Sequence, residues 1–148
     1  MNTYEVISQI KSCESMCEAG RAATLYFLQV CQSDPSHVFP VGRFRVRDIL
    51  ACHHDLERTY LIRMFAIFEV TLREFWERAS GRRSRLAATR LMDRIASRYR
   101  MPVDHLARAH RVREFRNTLV HGGGSRSLSL RDAKSHLCRF LSNLPREW

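Results

Sequence analysis

The chain has 148 residues, 45% of them hydrophobic and 27% charged, which suits a single globular domain with its own core and excludes a disordered polymer. No apolar run approaches the ~20 residues that span a bilayer, and the start, MNTYEVISQIKSCESMC, lacks the basic cluster and apolar block of a secretion signal, so a cytoplasmic protein with no membrane partner is expected. The net charge of +10 rests on 23 arginines and 2 lysines; such a surface attracts polyanions, and the guanidinium fork grips phosphate as lysine cannot, so nucleic acid is the expected class of partner.

Residues 3–32 form the first helical block, with Val6, Ile10, Cys13, Cys17, Thr24, Phe27 and Cys31 on one stripe and a bend expected at Gly20. Cys13 and Cys17 lie four apart, but no second cysteine pair or neighbouring histidine completes a ligand set. The five cysteines therefore predict neither a metal site nor a disulfide framework, and no cofactor is expected. SDPSHVFPVGRF, residues 33–44, reads as a loop from its Asp-Pro, Phe-Pro and glycine. His53 and His54 are placed on the surface ahead of the next helix.

That helix, LERTYLIRMFAIFEVTLREFWERAS, has the clearest pattern. Leu61, Phe65, Phe68, Leu72, Phe75 and Ala79 alternate at intervals of four and three, which makes a core-facing seam. Tyr60, Met64 and Ile67 add a second apolar side, so the helix is either central in a bundle or part of an interface between copies. Phe75 and Trp76 are assigned to the core. Glu69 and Arg73 have the spacing of an ordinary intrahelical ion pair; alternatively, Glu69 orients an arginine on a neighbouring helix.

SGRRSR, with Arg82, Arg83 and Arg85, is a basic turn, either simply solvated or able to grip phosphate. A third helix is predicted from about Arg85 to Arg100, ended by Met101-Pro102. Pro102 and Asp104 suit the first turn of a further helix reaching His121, with Gly122 just past its end. SLRD, from Ser129 to Asp132, resembles a capping box that opens a last helix through Leu144, before Pro145. No strand alternation appears, and the expectation is an all-α fold, an antiparallel bundle of four to five helices over residues 1–148 as one domain.

One segment raises the question of chemistry. VREFRNTLVHGGG places Arg116, Asn117 and His121 on the last turns of a helix. Basic groups are favoured there by the helix dipole, so a solvated polar end accounts for them without function. The spacing alone discriminates little, because Arg100–His105 and Arg131–His136 share it. Context separates them: Pro102 splits the first pair, and the second sits on an exposed-looking helix. Only the 116–121 pair combines an adjacent amide, apolar Leu119 and Val120 between, and a glycine stop.

FRNTLVHGG resembles the signature of the HEPN superfamily, in which an arginine and a histidine flank four to six residues and a polar residue follows the arginine. LIRMFAIFEVTLREFWE is similar to the second helix of HEPN proteins of the RiboL-PSP type, and the resemblance covers roughly residues 50–142. It implies a HEPN-like bundle acting as a homodimer and a metal-independent ribonuclease, a toxin or antiviral defence effector. It further implies that Arg116, Asn117 and His121 are the catalytic set; beside that set, Glu69, orienting Arg116, and Arg73 and Arg113 are the expected supporting residues. Arg82, Arg83, Arg85 and Arg126 are the expected RNA contacts, and an antitoxin or defence-system protein is an expected partner. A departure lies at Gly123, where HEPN toxins paired with a minimal nucleotidyltransferase commonly carry tyrosine, so the resemblance does not extend to neutralisation by modification.

RNA supplies its own nucleophile, the 2′-hydroxyl. A histidine can move the proton, an arginine fork can neutralise the phosphorane oxygens, and an amide can position either group. The expected products are a 2′,3′-cyclic phosphate and a 5′-hydroxyl. Two other readings stand beside this one: a HEPN binding module without catalysis, serving a nucleotidyltransferase or a defence complex, and a basic helical regulator that binds nucleic acid.

Overall fold

Asn2 opens the first helix by accepting the Tyr4 amide at 2.9 Å, while Glu5 reaches back to the Asn2 amide at 3.2 Å, a reciprocal cap that satisfies two otherwise orphaned donors. The helices are α1 (Thr3–Ser33), α2 (Val46–Ser80), α3 (Ala88–Arg98), α4 (Val103–His121) and α5 (Leu130–Leu141). The computed structural model describes residues 2–34, 45–83, 85–122 and 127–148. Most of the expected 33–44 loop, Ser84, and Gly123 to Arg126 lie outside the described residues. Among the described residues there is no β-strand, only a bridge between Asn2 and Glu147. The all-α bundle is thus as the sequence pattern predicts.

Cross-contacts give the directions. Gly20 lies against Leu56, and the Thr24 hydroxyl is 2.8 Å from His53 Nδ1, so α1 and α2 run antiparallel. α2 touches each of the other four helices. Its second apolar side is consumed inside the chain: Met64 is fully buried, and Tyr60 and Ile67 pack against the core. Of the two readings of that helix, the central one holds.

Phe65, Phe68, Phe75 and Phe140 form the largest buried side chains, with Phe68 and Phe140 edge to face at 5.2 Å. The chain ends are fastened together. Buried Thr3 donates its hydroxyl to the Pro145 carbonyl at 2.6 Å, and Trp148 Nε1 donates to that hydroxyl at 3.2 Å. Burial in α1 stops at Cys17, and in the first three turns of α2 only Ile49 is buried. Cys13 and Cys17 are among the buried residues, and desolvation raises both thiols above their ordinary range.

Several expectations need correction. α1 runs unbroken through Gly20; a side chain there would meet Leu56 at 3.3 Å, so the glycine serves close helix packing rather than a bend. α2 begins ten residues before Leu56, at Val46, so His53 and His54 lie within it. Its start is marked by Asp48, whose carboxylate accepts the Arg45 amide at 2.8 Å. α3 is shorter than predicted, and α5 ends at Leu141, with turns continuing to Leu144. α5 is not an exposed helix either: Leu130, Ala133, Leu137, Phe140 and Leu141 are buried.

His136, on α5, is half-buried, and its Nδ1 is buried with no hydrogen-bond partner. Burial first, then Arg108, Arg111 and Arg139 hold this imidazole below its ordinary value, against the opposing pull of Asp132. The unfolded chain therefore binds this proton more readily than the folded one. Its contribution to stability is complete above pH ~6.5 and is lost as pH falls below that value. Urea midpoints at neutral and mildly acidic pH should show a smaller acid loss in His136→Gln than in the parent; an equal loss would contradict this account.

Candidate active site

α4 follows the turn at Tyr99 and Arg100, with Pro102 as its N-cap and Asp104 supplying a negative charge to the first turn. Ala109 and Val112 are fully buried, and Leu106, Phe115 and Leu119 pack against the core, which fixes the rotation of the helix. The helix ends at Gly122, whose φ of 73° favours glycine and whose amide donates to the Thr118 carbonyl at 3.0 Å.

That rotation points Arg116 towards α2. Its Nη2 lies 3.5 Å from Glu69 Oε2, its Nη1 donates to Asn117 Oδ1 at 3.0 Å, and its guanidinium stands 5.2 Å from the centre of the Phe65 ring. Glu69 also accepts from Arg73 Nη2 at 2.6 Å, and Arg73 Nη1 donates to the Leu86 carbonyl at 3.0 Å. Both readings of Glu69 are therefore realised: it makes the intrahelical pair and it touches Arg116. One carboxylate, 21% exposed, is shared by two guanidiniums. Arg113, one turn before Arg116, is 3.4 Å from Glu114, and the Nε atoms of both Arg113 and Arg116 are buried without a hydrogen-bond partner.

His121 stands apart from this network. It is exposed on the last residue of α4, and among the described residues no hydrogen bond or ion pair reaches it. Positions five apart on a helix differ by about 140° in direction and ~7.5 Å in height. The structure thus joins Arg116, Asn117, Glu69 and Arg73, sets Arg113 beside them, and leaves His121 at the rim, one turn beyond Asn117. Arg82, Arg83 and Arg85 are exposed at the α2–α3 turn, where Gly81 adopts a left-handed φ of 70° and Arg83 lies 3.4 Å from Glu77. The Arg73–Leu86 bond ties the end of that turn to the Arg116 network. Arg126 lies outside the described residues.

The competing histidines have other occupations. His105 Nδ1 is 3.0 Å from Asn143 Nδ2, and His136 is half-buried on α5 with its Nδ1 enclosed. A groove of about 660 Å³ lies along α4, lined by Arg111, Glu114, Phe115, Thr118, Ser127 and Leu128, and smaller hollows are lined by Arg58 and Leu119 and by Phe65 and Glu69. Among the described residues no group of three or more His, Cys, Asp or Glu side chains could hold a metal ion. No described helix is long and apolar enough to cross a membrane. No family model, curated protein or solved structure matches the chain.

Sequence reasoning missed two participants. Arg58 donates to the Leu119 carbonyl, pinning the last turn of α4 two residues before His121. Phe65, assigned only to the core, also forms the floor beneath Arg116. Their signal was available in the spacing: Arg58, Phe65, Glu69 and Arg73 fall on one stripe of α2, the stripe that faces α4.

Proposed function

We propose that the chain is a metal-independent endoribonuclease of the HEPN type, a toxin or antiviral defence effector, with Arg116, Asn117 and His121 as its catalytic set. The observation that carries this reading is the fastening of Arg116: a guanidinium held by Glu69, floored by Phe65 and bonded to an adjacent amide is an oriented phosphate ligand. Asn117 occupies Nη1, and a phosphate oxygen can take that place. The 2′-oxygen attacks phosphorus, the bond to the 5′-oxygen breaks, and His121 accepts or returns the proton. The products are a 2′,3′-cyclic phosphate and a 5′-hydroxyl.

The distance between His121 and the Arg116 network favours a twofold pair of chains, in which the histidine of one copy completes the cleft of the other. The two-sided apolar helix no longer argues for this, since its second side is spent in the core. Sedimentation at micromolar concentration should give about twice the chain mass of 17.4 kDa. A monomer would remove the composite cleft.

Cleavage of a labelled RNA tests the activity directly. It should survive chelation undiminished, because the nucleophile belongs to the RNA and Arg116 supplies the positive charge that a metal would otherwise provide. Activity abolished by chelator and restored by magnesium or manganese would point to another site. RNA bound but never cut would favour the binding-module or regulator reading.

A further inference from the structure

Six described arginines form ion pairs with carboxylates, which leaves open where the remaining positive charge is used. Arg108 and Arg111 on α4 and Arg139 on α5 form none with any described residue. Arg108 and Arg111 stand one turn apart on α4, Arg139 stands one turn from His136 on α5, and the two helices pack antiparallel, with His105 near the start of α4 against Asn143 just past the end of α5; all three arginines act on His136, whose Nδ1 is a buried polar atom without a partner. The one opposing carboxylate, Asp132, is engaged in capping α5: the Ser129 hydroxyl donates to it at 2.7 Å, and its amide donates back at 3.1 Å. Glu114, close along α4, turns to Arg113. The fold therefore gathers three uncompensated guanidiniums and an unsatisfied imidazole nitrogen across one helix–helix seam. Like charges so placed repel, and an anion seated among them relieves the repulsion.

Arg111 and Arg139 are exposed and Arg108 is half-buried, so the seam is reachable. Arg111 also lines the groove beside Glu114, Phe115 and Leu128, which extends the seam into a concave, partly apolar surface. Around α4 the midpoint of Arg108 and Arg111 is turned roughly 150° from Asn117 and roughly 110° from His121, and Arg111 lies ~15 Å along the axis from His121, which sets this face apart from the motif.

We infer that the α4–α5 seam, through Arg108, Arg111 and Arg139, is a docking station for the phosphodiester backbone of single-stranded nucleic acid. Arginines spaced along two antiparallel helices match a polyanion with a charge on every nucleotide better than a single small anion. The contacts are to phosphate, so the station reads neither base nor sugar. It rests on the reading of the chain as acting on RNA and adds to it where the strand lies before it is cut.

The test is fluorescence anisotropy of a labelled single-stranded RNA, measured across a salt series in a His121→Ala background that leaves the strand intact. R108Q/R111Q/R139Q should bind about tenfold or more weakly, and the slope of log affinity against log salt should shrink by about 2, as the loss of three phosphate contacts requires. R63Q/R90Q/R94Q removes the same charge from exposed positions elsewhere and should change the slope by less than half as much. Single-stranded DNA should show the same pattern. Equal losses in the two triple variants, no loss in the first, a loss confined to RNA, or a parent chain that binds neither strand would each overturn the proposal. If the triple variant unfolds, R111E/R139E, both at exposed positions, takes its place. A chain that binds as expected but never cuts RNA fails as a nuclease and keeps the docking station; one that cuts RNA with an unchanged salt slope fails the other way.

Discussion

His121→Ala should lower RNA cleavage by about 10²–10⁴-fold, the range lost with a proton-transferring group, and Arg116→Ala by about 10²–10³-fold, the range lost with a single oxyanion donor. Neither loss should be a folding defect of the whole chain. His121 is exposed at a helix end, so its truncation costs little stability; Arg116 is 28% exposed, and its removal returns Glu69 to Arg73 alone. Asn117→Ala should be milder, because the amide orients Nη1 but neither carries charge nor moves a proton. His105→Ala and His136→Ala are the controls, measured above neutral pH, and should cut at near the parent rate. Labelled RNA, matched circular dichroism and analysis of the fragment ends complete the measurement. If His121→Ala cuts as fast as the parent, or the His136 variant is the dead one, the end of α4 is not the active site.

Glu69→Gln should lower both stability and activity. The substitution keeps the size of the side chain and removes the one negative charge between Arg73 and Arg116. Breaking a fully buried pair from one side costs about 3–5 kcal/mol; with a fifth of the carboxylate in contact with water, a loss of about 2 kcal/mol is expected. Activity should fall with it, since Arg116 loses its anchor while every group proposed to meet RNA remains. Arg73→Gln should be milder on both counts, because Glu69 still holds Arg116. Urea unfolding of the two single variants, and of each combined with Arg116→Ala, separates the contacts. The coupling between Glu69 and Arg116 should exceed 0.5 kcal/mol, the size at which neighbours stop being additive. A Glu69→Gln chain as stable and as active as the parent would reduce this network to decoration.

The parts of the fold legible in the sequence were those written in local period. The seam from Leu61 to Phe75 placed the core, Pro102 and Gly122 bounded α4, and Ser129 with Asp132 opened α5. The beginning of α2 was not legible, because its N-cap is Arg45, a residue with no capping oxygen, and only the backward reach of Asp48 marks the start. α5 was misjudged because its polar face was weighed ahead of the buried set from Leu130 to Leu141. In the candidate site, Arg116, Asn117 and His121 stood out by adjacency and a glycine stop. Their surroundings did not: the Glu69–Arg73 spacing is visible four residues apart, whereas the Glu69–Arg116 and Arg58–Leu119 contacts join residues brought together only by packing α4 on α2.

The uneven burial along α1 and α2 divides the molecule by cooperativity. Amides between Leu61 and Phe75 sit in the helix that every other helix touches, so they exchange hydrogen with solvent only when the whole chain unfolds. Beyond Cys17 in α1, and before Leu56 in α2, the paired helices are held by half-buried side chains and the single buried Ile49. That end of the pair should open as its own unit at a fraction of the global free energy, which hydrogen exchange would show as weaker protection there. The Arg116 anchor, on Phe65 and Glu69, belongs to the slow unit, while Arg58, which pins the last turn of α4, lies close to the boundary between the two.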